Sequence, residues 1–405
     1  MKVEIRPSTP KGCVSAPPSK SMAHRYLIAA ALSEGVSHIK GIAPSEDILA
    51  TMDCLTALGA DIAVKDGCAT VHGFDPKTAA PRIPLACRES GSTLRFLLPL
   101  CWLSGNSAAL TGSTRLLERP LSLYEEIAER EGLTLSQNAD ALTVCGRLAG
   151  GDYTLRGDIS SQFITGLLFA LPFTGKESTV RLLPPIESRS YLDLTVAALA
   201  RFGSGIGFSD EVTLRIPAND RLCAADCCVE GDYSNAAFFD ALGILGYPVT
   251  VTGLTEDSMQ GDRVYREYFS ALASETPTLS LADCPDLGPV LMAVAAAKNG
   301  ARLTNTRRLR IKESNRGAAM AEELAKFGAR VSVYEDEIAI EPTPLHPPTE
   351  ELYGHNDHRI VMSLATLLVH YGGSIRGAEA VRKSLPDYFT LLRTLGTEVI
   401  FHENE

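Results

Sequence analysis

The stretch "CLTALGADIAVKDGCATVHGF" (residues 54–74) reads as the end of a helix, a glycine stop, an alternating strand, a polar turn and a second strand. The same grammar recurs in "EIAEREGLTLSQNADALTVCG" (126–146), "ALARFGSGIGFSDEVTLRIP" (198–217) and "ELAKFGARVSVYEDEIAIEP" (323–342). "ALGILGYPVTVTG" and, near the C-terminus, "LLRTLGTEVIFHE" look like shortened copies. Upstream of each copy lies another helix with a polar or charged mouth and an apolar body. The mouths centre on Arg25, Arg95, Gln162, Asp232, Asp286 and Arg359, mostly about 70 residues apart. Six units follow, each mixing two helices with a few strands. Such a repeat builds either a solenoid or two closed groups of three, with helices inside and sheets outside. The spacing does not choose between them.

At 405 residues the chain exceeds one ordinary core, so two domains are expected. Hydrophobic content of 45% and charged content of 21% fit a soluble globular protein. The net charge of −11 argues against a nucleic-acid or anionic-membrane partner. Basic residues clustered at particular spots are therefore site features acting against the overall field. The start, "MKVEIRPSTPKG", has no apolar core of a secretory signal, and "ITGLLFALPF" and "IVMSLATLLV" are too short to span a bilayer. Ten scattered cysteines point to reduced thiols in a cytoplasm. The tightest group, Cys223, Cys227 and Cys228, lacks a histidine and a second cysteine pair, so no metal site is expected.

The helix mouths carry the chemistry. In "APPSKSMAHRYLIAAALSEG" (16–35), Pro18 and Ser19 start a helix that Gly35 stops, and Lys20 and Arg25 crowd its first turns. The helix dipole makes each cation there cost about 0.3–1 kcal/mol, so an anion should compensate; the plain alternative is two solvated cations. In "RESGSTLRFLLPL" (88–100), the turn-prone Ser90-Gly91-Ser92-Thr93 turns backbone N–H groups toward an anion, with Arg95 one turn inside. It matches neither a Walker loop nor GxGxxG. In "GDISSQFITGLLFALP" (157–172), Ser160, Ser161 and Gln162 are neutral donors suited to a phosphate or polyol, and an N-cap explains only one of them.

Further motifs are "ERPLSLYEE" (118–126), "ESRSYLDLT" (187–195), "ADCPDLGPVLMAVAAA" (282–297), "RLRIKESNRGAAM" (308–320), "HNDHRIVMSLA" (355–365) and "KSLPDYFTLL" (383–392). On a helix, Lys312 and Arg316 stand at i and i+4 and share a face with Glu313 beside them. Taken singly these are a surface charge pattern, a cap at Asp357 with a solvated pair, and an N-cap at Asp286. Together, Lys20, Arg25, Arg95, Arg119, Lys312, Arg316, Arg359 and Lys383 nearly all sit at helix mouths. Substrates with two phosphates and carboxylates, carrying roughly five to six negative charges, would need such a set. Asp286 and Glu313 in the same company supply an acid and a base.

These motifs, in this order from "PPSKSMAHR" to "KSLPDYF", resemble the 5-enolpyruvylshikimate-3-phosphate (EPSP) synthase family. The resemblance implies an α/β (α+β) fold of two similar domains. Each would hold three βαβαββ units with helices inside and sheets outside, the active site lying in the interdomain cleft. The first domain would be discontinuous, 1–18 and 231–405, and the second 19–230. The implied reaction moves the enolpyruvyl group of phosphoenolpyruvate to the 5-hydroxyl of shikimate 3-phosphate and releases phosphate through a tetrahedral intermediate. It uses no cofactor and no metal, in a cytoplasmic monomer whose phosphoenolpyruvate site also takes glyphosate. Matching positions assign shikimate 3-phosphate to Lys20, Ser21, Arg25, Ser160, Ser161, Gln162, Ser188, Asp286 and Lys312. Phosphoenolpyruvate falls to Lys20, Gly91, Arg119, Gln162, Arg316, Arg359 and Lys383. The catalytic set is Asp286, taking the 5-hydroxyl proton, Glu313, protonating the methylene carbon, and Lys20 with Lys383.

Three positions depart from the family pattern: Glu89 for an asparagine beside the anion pocket, Asn315 for an aspartate, and Arg308 for an asparagine. Glu89 should weaken anion binding unless it pairs with Arg88 or Arg95. Two rival readings are the sister enzyme acting on UDP-N-acetylglucosamine and a non-catalytic anion-binding scaffold. Against the first, "TGSTRLLERP" (111–120) lacks that family's loop cysteine; against the second, every acid, base and cationic position is filled.

Overall fold

The computed structural model describes residues 1–218 and 221–402. It divides into two compact units: Pro18–Glu230, and Met1–Pro17 together with the chain from Gly231 onward. The chain passes between them twice, and each passage is tied within its own unit: Ser19 N–H donates to the Glu230 carbonyl (2.8 Å) and Asp232 N–H to that of Pro17 (2.7 Å).

The repeat is a βαβαββ unit. One complete copy in Pro18–Glu230 runs strand Leu85–Ala86, helix Gly91–Cys101, strand Ala108–Thr111, helix Ser122–Glu131, then strands Thr134–Gln137 and Ala141–Cys145. The first two strands are parallel and the last two add antiparallel, so the sheet order is first, second, fourth, third. Strands Asp152–Arg156, Ser178–Leu183, Thr213–Ile216 and Gly207–Phe208 repeat that order. The copy around helix Lys20–Ala31 borrows its first strand from Cys227–Cys228, which lies parallel to Val36–Lys40.

The other unit repeats the plan with two edits that explain the shortened sequence copies. Beside the strand of "LLRTLGTEVIFHE", Lys2–Ile5 takes the place of the second hairpin strand, antiparallel to both Val399–His402 and Gly373–Arg376. "ALGILGYPVTVTG" contributes one strand, Val249–Thr252, paired only with Gly12–Ser15 in a two-stranded sheet.

Each unit has its own core. Helix Gly288–Ala297 is buried at every position through Ala296, and Lys20–Ala31 from Met22 on. The strands instead alternate, as Cys68–His72 does with Ala69 and Val71 inward. Helices fill the middle of each unit and sheets present one face outward. A single core gathers the helices of all three copies in each unit, which rules out the solenoid. Gly132 shows why the helix stops are glycine: it ends Ser122–Glu131 at φ 65°, ψ 32°, donating to the carbonyls of Ala128 and Glu129. Helix Lys20–Ala31 ends before the expected stop, with Leu32 as its cap and Gly35 in the turn beyond. All ten cysteines are free. Among the described residues no helix is long and apolar enough to cross a membrane.

Candidate functional site

Three helix N-termini of unit Pro18–Glu230 carry the first group of candidate residues. Ser19 caps Lys20–Ala31 by accepting from Met22 N–H, Ser90 caps Gly91–Cys101 from Thr93 N–H, and Ser160 caps Ser161–Ala170 from Gln162 N–H. Only one serine of Ser160-Ser161 is spent on a cap. Gly91, Arg95, Arg119 and Gln162 come together: Arg95 Nη1 donates to Gln162 Oε1 (2.7 Å) and Gln162 Nε2 to Ser92 Oγ (3.0 Å). A Cβ on Gly91 would stand 2.6 Å from Arg119 Nη1 and 3.4 Å from Arg95 Nη1. The missing side chain is what lets two guanidinium groups crowd this helix start.

Arg25 is 2% exposed and is held by neutral oxygens: Thr195 Oγ1 (2.9 Å), Ser21 O (2.7 Å) and Tyr191 O (3.1 Å), with the Phe96 ring 5.3 Å away. Among the described residues no carboxylate pairs with it, and burial pulls its pKa down to about 10. Ser188 is buried at φ 56° before helix Arg189–Arg201 and its hydroxyl does not cap that helix. Lys20 Nζ meets Asp47 Oδ2 at 2.7 Å.

Behind these mouths a buried chain of hydroxyls runs from His24 Nδ1 to Thr51 Oγ1 (2.8 Å), on to Thr93 Oγ1 (2.6 Å) and to Ser90 Oγ (2.7 Å). Burial, reinforced by Lys20 and Arg25, holds the His24 imidazolium pKa well below the ordinary value, so His24 is neutral here. Asp47, Thr51 and Thr195 are absent from the sequence-derived set because each lies on a neighbouring helix.

The second group lies in the other unit and is built around one carboxylate. Asp286 sits in the turn Pro285–Leu287 that precedes helix Gly288–Ala297. Its side chain does not cap that helix. Oδ1 meets Arg316 Nη1 (2.8 Å) and Lys312 Nζ (3.2 Å), and Oδ2 meets Arg359 Nη2 (3.0 Å). Glu313 Oε2 accepts from Arg316 Nη2 at 2.6 Å, and Asp357 Oδ2 from Arg316 Nε at 2.8 Å. Lys383 Nζ donates to the Asn356 carbonyl at 2.5 Å.

Burial alone would push the Asp286 carboxyl up, but the charges of Arg359, Lys312 and Arg316 overwhelm it and hold the group well below the usual carboxylate range. Arg316, 1% exposed, is more than compensated: despite burial, Asp357, Glu313 and Asp286 raise its pKa above the ordinary arginine value.

Two sequence expectations need correction. Lys312 and Glu313 are not on the helix with Arg316: Lys312 is extended, Asn315 caps the helix by accepting from Ala318 N–H, and the helix begins at Arg316. The three side chains meet through this loop rather than through helical spacing. The expected solvated pair after Asp357 is buried, with His358 at 1% and Arg359 at 4% exposure. Asp357 is nonetheless the cap, accepting from Arg359 N–H. Of the departures, Asn315 serves as a capping residue, and Arg308 is buried and donates to the Ala282 carbonyl. Arg88, left-handed at φ 54°, pairs with Glu46 and with Asp53.

Comparisons with known proteins converge on one family. Residues 6–392 match the profile of EPSP synthase (3-phosphoshikimate 1-carboxyvinyltransferase). A 3-phosphoshikimate 1-carboxyvinyltransferase of Clostridium kluyveri is 38% identical over 423 residues, covering 98% of each chain. One from Clostridioides difficile is 36% identical over 427 residues, again covering 98% of each. Among solved structures, EPSP synthase from Acinetobacter baumannii superposes with a TM-score of 0.80 at 24% identity, covering 99% of this chain and 100% of that one. The enolpyruvyl transferase NikO from Streptomyces tendae gives 0.77 at 17% identity over 98% of both. At those identities the superpositions establish the fold.

Proposed function

The chain belongs to the EPSP synthase (3-phosphoshikimate 1-carboxyvinyltransferase) family, and from that premise we propose how its residues move the enolpyruvyl group of phosphoenolpyruvate to the 5-hydroxyl of shikimate 3-phosphate, releasing phosphate. The observation that carries the proposal is the grip of Arg316, Arg359 and Lys312 on Asp286, with Glu313 on the same arginine.

Arg25, with Lys20, Ser21, Ser160, Ser161, Gln162 and Ser188, holds shikimate 3-phosphate, together with Asp286 and Lys312. The neutral acceptors around Arg25 leave its charge for the phosphate. Gly91, Arg119, Gln162, Lys20, Arg316, Arg359 and Lys383 hold phosphoenolpyruvate. Its carboxylate and phosphate draw donors of Arg316 and Arg359 away from Asp286. Released from two cations, Asp286 becomes more basic. The 5-oxygen then bonds to C2 of phosphoenolpyruvate while its proton passes to Asp286, and Glu313 gives a proton to C3. Glu313, left as a carboxylate, takes a proton back from C3 as phosphate departs, which restores the double bond and yields the product. Lys20 and Lys383 stabilise the charge growing on the leaving phosphate.

Action as a monomer is part of the same proposal, and the ten free thiols support a reducing, cytoplasmic setting. The test is phosphate release by purified protein given phosphoenolpyruvate with shikimate 3-phosphate. Release should need both substrates and should be absent when UDP-N-acetylglucosamine replaces the acceptor. Release from phosphoenolpyruvate alone, or none with both, overturns the proposal.

A further inference from the structure

We propose that Glu323 is a positioning residue for phosphoenolpyruvate binding, holding the corner His355–Asn356 from which Lys383 and Arg316 are aimed. The inference rests on the reading above that these two cations hold phosphoenolpyruvate.

Glu323 lies on helix Arg316–Ala325, two turns beyond Arg316, and its side chain is fully buried. A carboxylate in such a place persists only if its oxygens are engaged. Oε2 accepts from Lys326 Nζ (2.9 Å) and from Tyr353 N–H (2.9 Å), and Oε1 is 2.9 Å from His355 Nε2. Burial would raise this carboxyl's pKa, but the bonds from His355, Lys326 and Tyr353 N–H bring it below the ordinary glutamate value. Glu322 stands close enough to complete a cation-binding trio with Glu323 and His355, but the Lys326 ammonium already occupies the Glu323 carboxylate. The cluster is a strut between helix and loop.

The loop needs one. His355 and Asn356 are consecutive left-handed residues, at φ 48° and 51°, a conformation uncommon outside glycine that Asn and His tolerate best and that contacts with neighbours hold in place here. Glu323 grips the loop at Tyr353 and at the His355 ring, and Asp357 N–H closes the turn on the Gly354 carbonyl (2.9 Å). Two outputs leave this corner. The Asn356 carbonyl accepts from Lys383 Nζ, giving a flexible four-carbon side chain a fixed oxygen to point at. The next residue, Asp357, takes Arg316 Nε on Oδ2 and the Arg359 N–H on Oδ1 (3.0 Å). One buried carboxylate thus sets three elements that the functional reading assigns to a single substrate. It is itself far too enclosed to touch that substrate.

The test compares Glu323→Ala and Glu323→Gln with wild type. Three quantities are read: KM for phosphoenolpyruvate, Kd for shikimate 3-phosphate by calorimetry, and the rate at which an amine-reactive acylating reagent labels Lys383, read by peptide mass spectrometry. Glu323→Ala should raise KM for phosphoenolpyruvate about tenfold or more, leave the shikimate 3-phosphate Kd within about threefold, and speed Lys383 labelling several-fold. Glu323→Gln, which keeps an acceptor oxygen, should fall between. If Glu323→Ala does not fold, His355→Ala and His355→Gly carry the test. Alanine resists the left-handed corner and glycine accepts it, so alanine should raise KM for phosphoenolpyruvate more. Constants unchanged in Glu323→Ala and His355→Ala, or a KM and a Kd rising by one common factor, would overturn the positioning role. A wild-type chain without turnover refutes the functional reading instead, and the labelling comparison still decides whether Glu323 holds Lys383.

Discussion

Arg25 and Arg316 are both buried arginines near helix mouths, and they are satisfied in opposite ways. Arg25 donates to a hydroxyl and two backbone carbonyls, and its pKa falls to about 10. Arg316 is held by Asp286, Glu313 and Asp357, and its pKa rises. A buried cation among neutral dipoles attracts any anion that fits. One already ringed by carboxylates accepts a new anion only by exchange. In the proposed function, unit Pro18–Glu230 therefore acts as a receptor, and the other unit as a switch whose carboxylates change basicity when ligand arrives.

The sharpest way to break this contrast is Asp286→Ala. Turnover should fall by about 10²–10⁴-fold, because an acid–base group acts on the transition state, while calorimetry should still detect shikimate 3-phosphate binding. The same change strips a carboxylate from three cations and should lower stability in denaturant titrations by about 3–5 kcal/mol. Turnover above about a tenth of wild type would remove Asp286 from the role of base.

Lys20→Met and Lys383→Met sample one cation from each unit. Each should cost about 2–4 kcal/mol of transition-state stabilisation, read from kcat/KM, if both act on the leaving phosphate. Near-normal values in both would break the assignment. A loss confined to Lys20 would assign the leaving group to the receptor unit alone.

Acid sharpens the contrast from the other side. Asp286 is depressed in the folded chain, so the stability it lends is present above its unfolded value near pH 4 and is lost as pH falls through the folded value. Stability measured by denaturant titration from pH 5 to pH 2 should fall through this group, and Asp286→Asn should flatten that slope. An identical slope in the variant would place the acid sensitivity elsewhere.

Gly91→Ala carries the smallest effect. Its methyl would stand 2.6 Å from the mobile end of Arg119, which can shift. Glyphosate reaches further than phosphoenolpyruvate in this family, so its inhibition constant should rise a few-fold more than the KM for phosphoenolpyruvate. Equal rises would mean that the methyl only displaces Arg119.

What the sequence showed clearly was local. Glycine stops, serine and aspartate caps and alternating strands are written within a few residues, and the helix mouths at Arg25, Arg95, Gln162, Asp232, Asp286 and Arg359 all open buried helices. The partners were not legible. Asp47 is 27 residues from Lys20, Asp357 is 41 from Arg316, and Thr195 is 170 from Arg25. Spacing rules describe one helix face and cannot see across to another. The same limit placed Lys312 on a helix that Asn315 begins only afterwards.

The strand Lys2–Ile5 sits between Gly373–Arg376 and Val399–His402. On a ribosome it is made before its neighbours, which arrive roughly 370 residues later, about 20–80 s at ordinary elongation rates. Among the described residues, unit Pro18–Glu230 borrows no strand from beyond Glu230, so it can close while that early strand still waits unpaired. The enclosed unit is born first and the unit that encloses it in sequence is finished last.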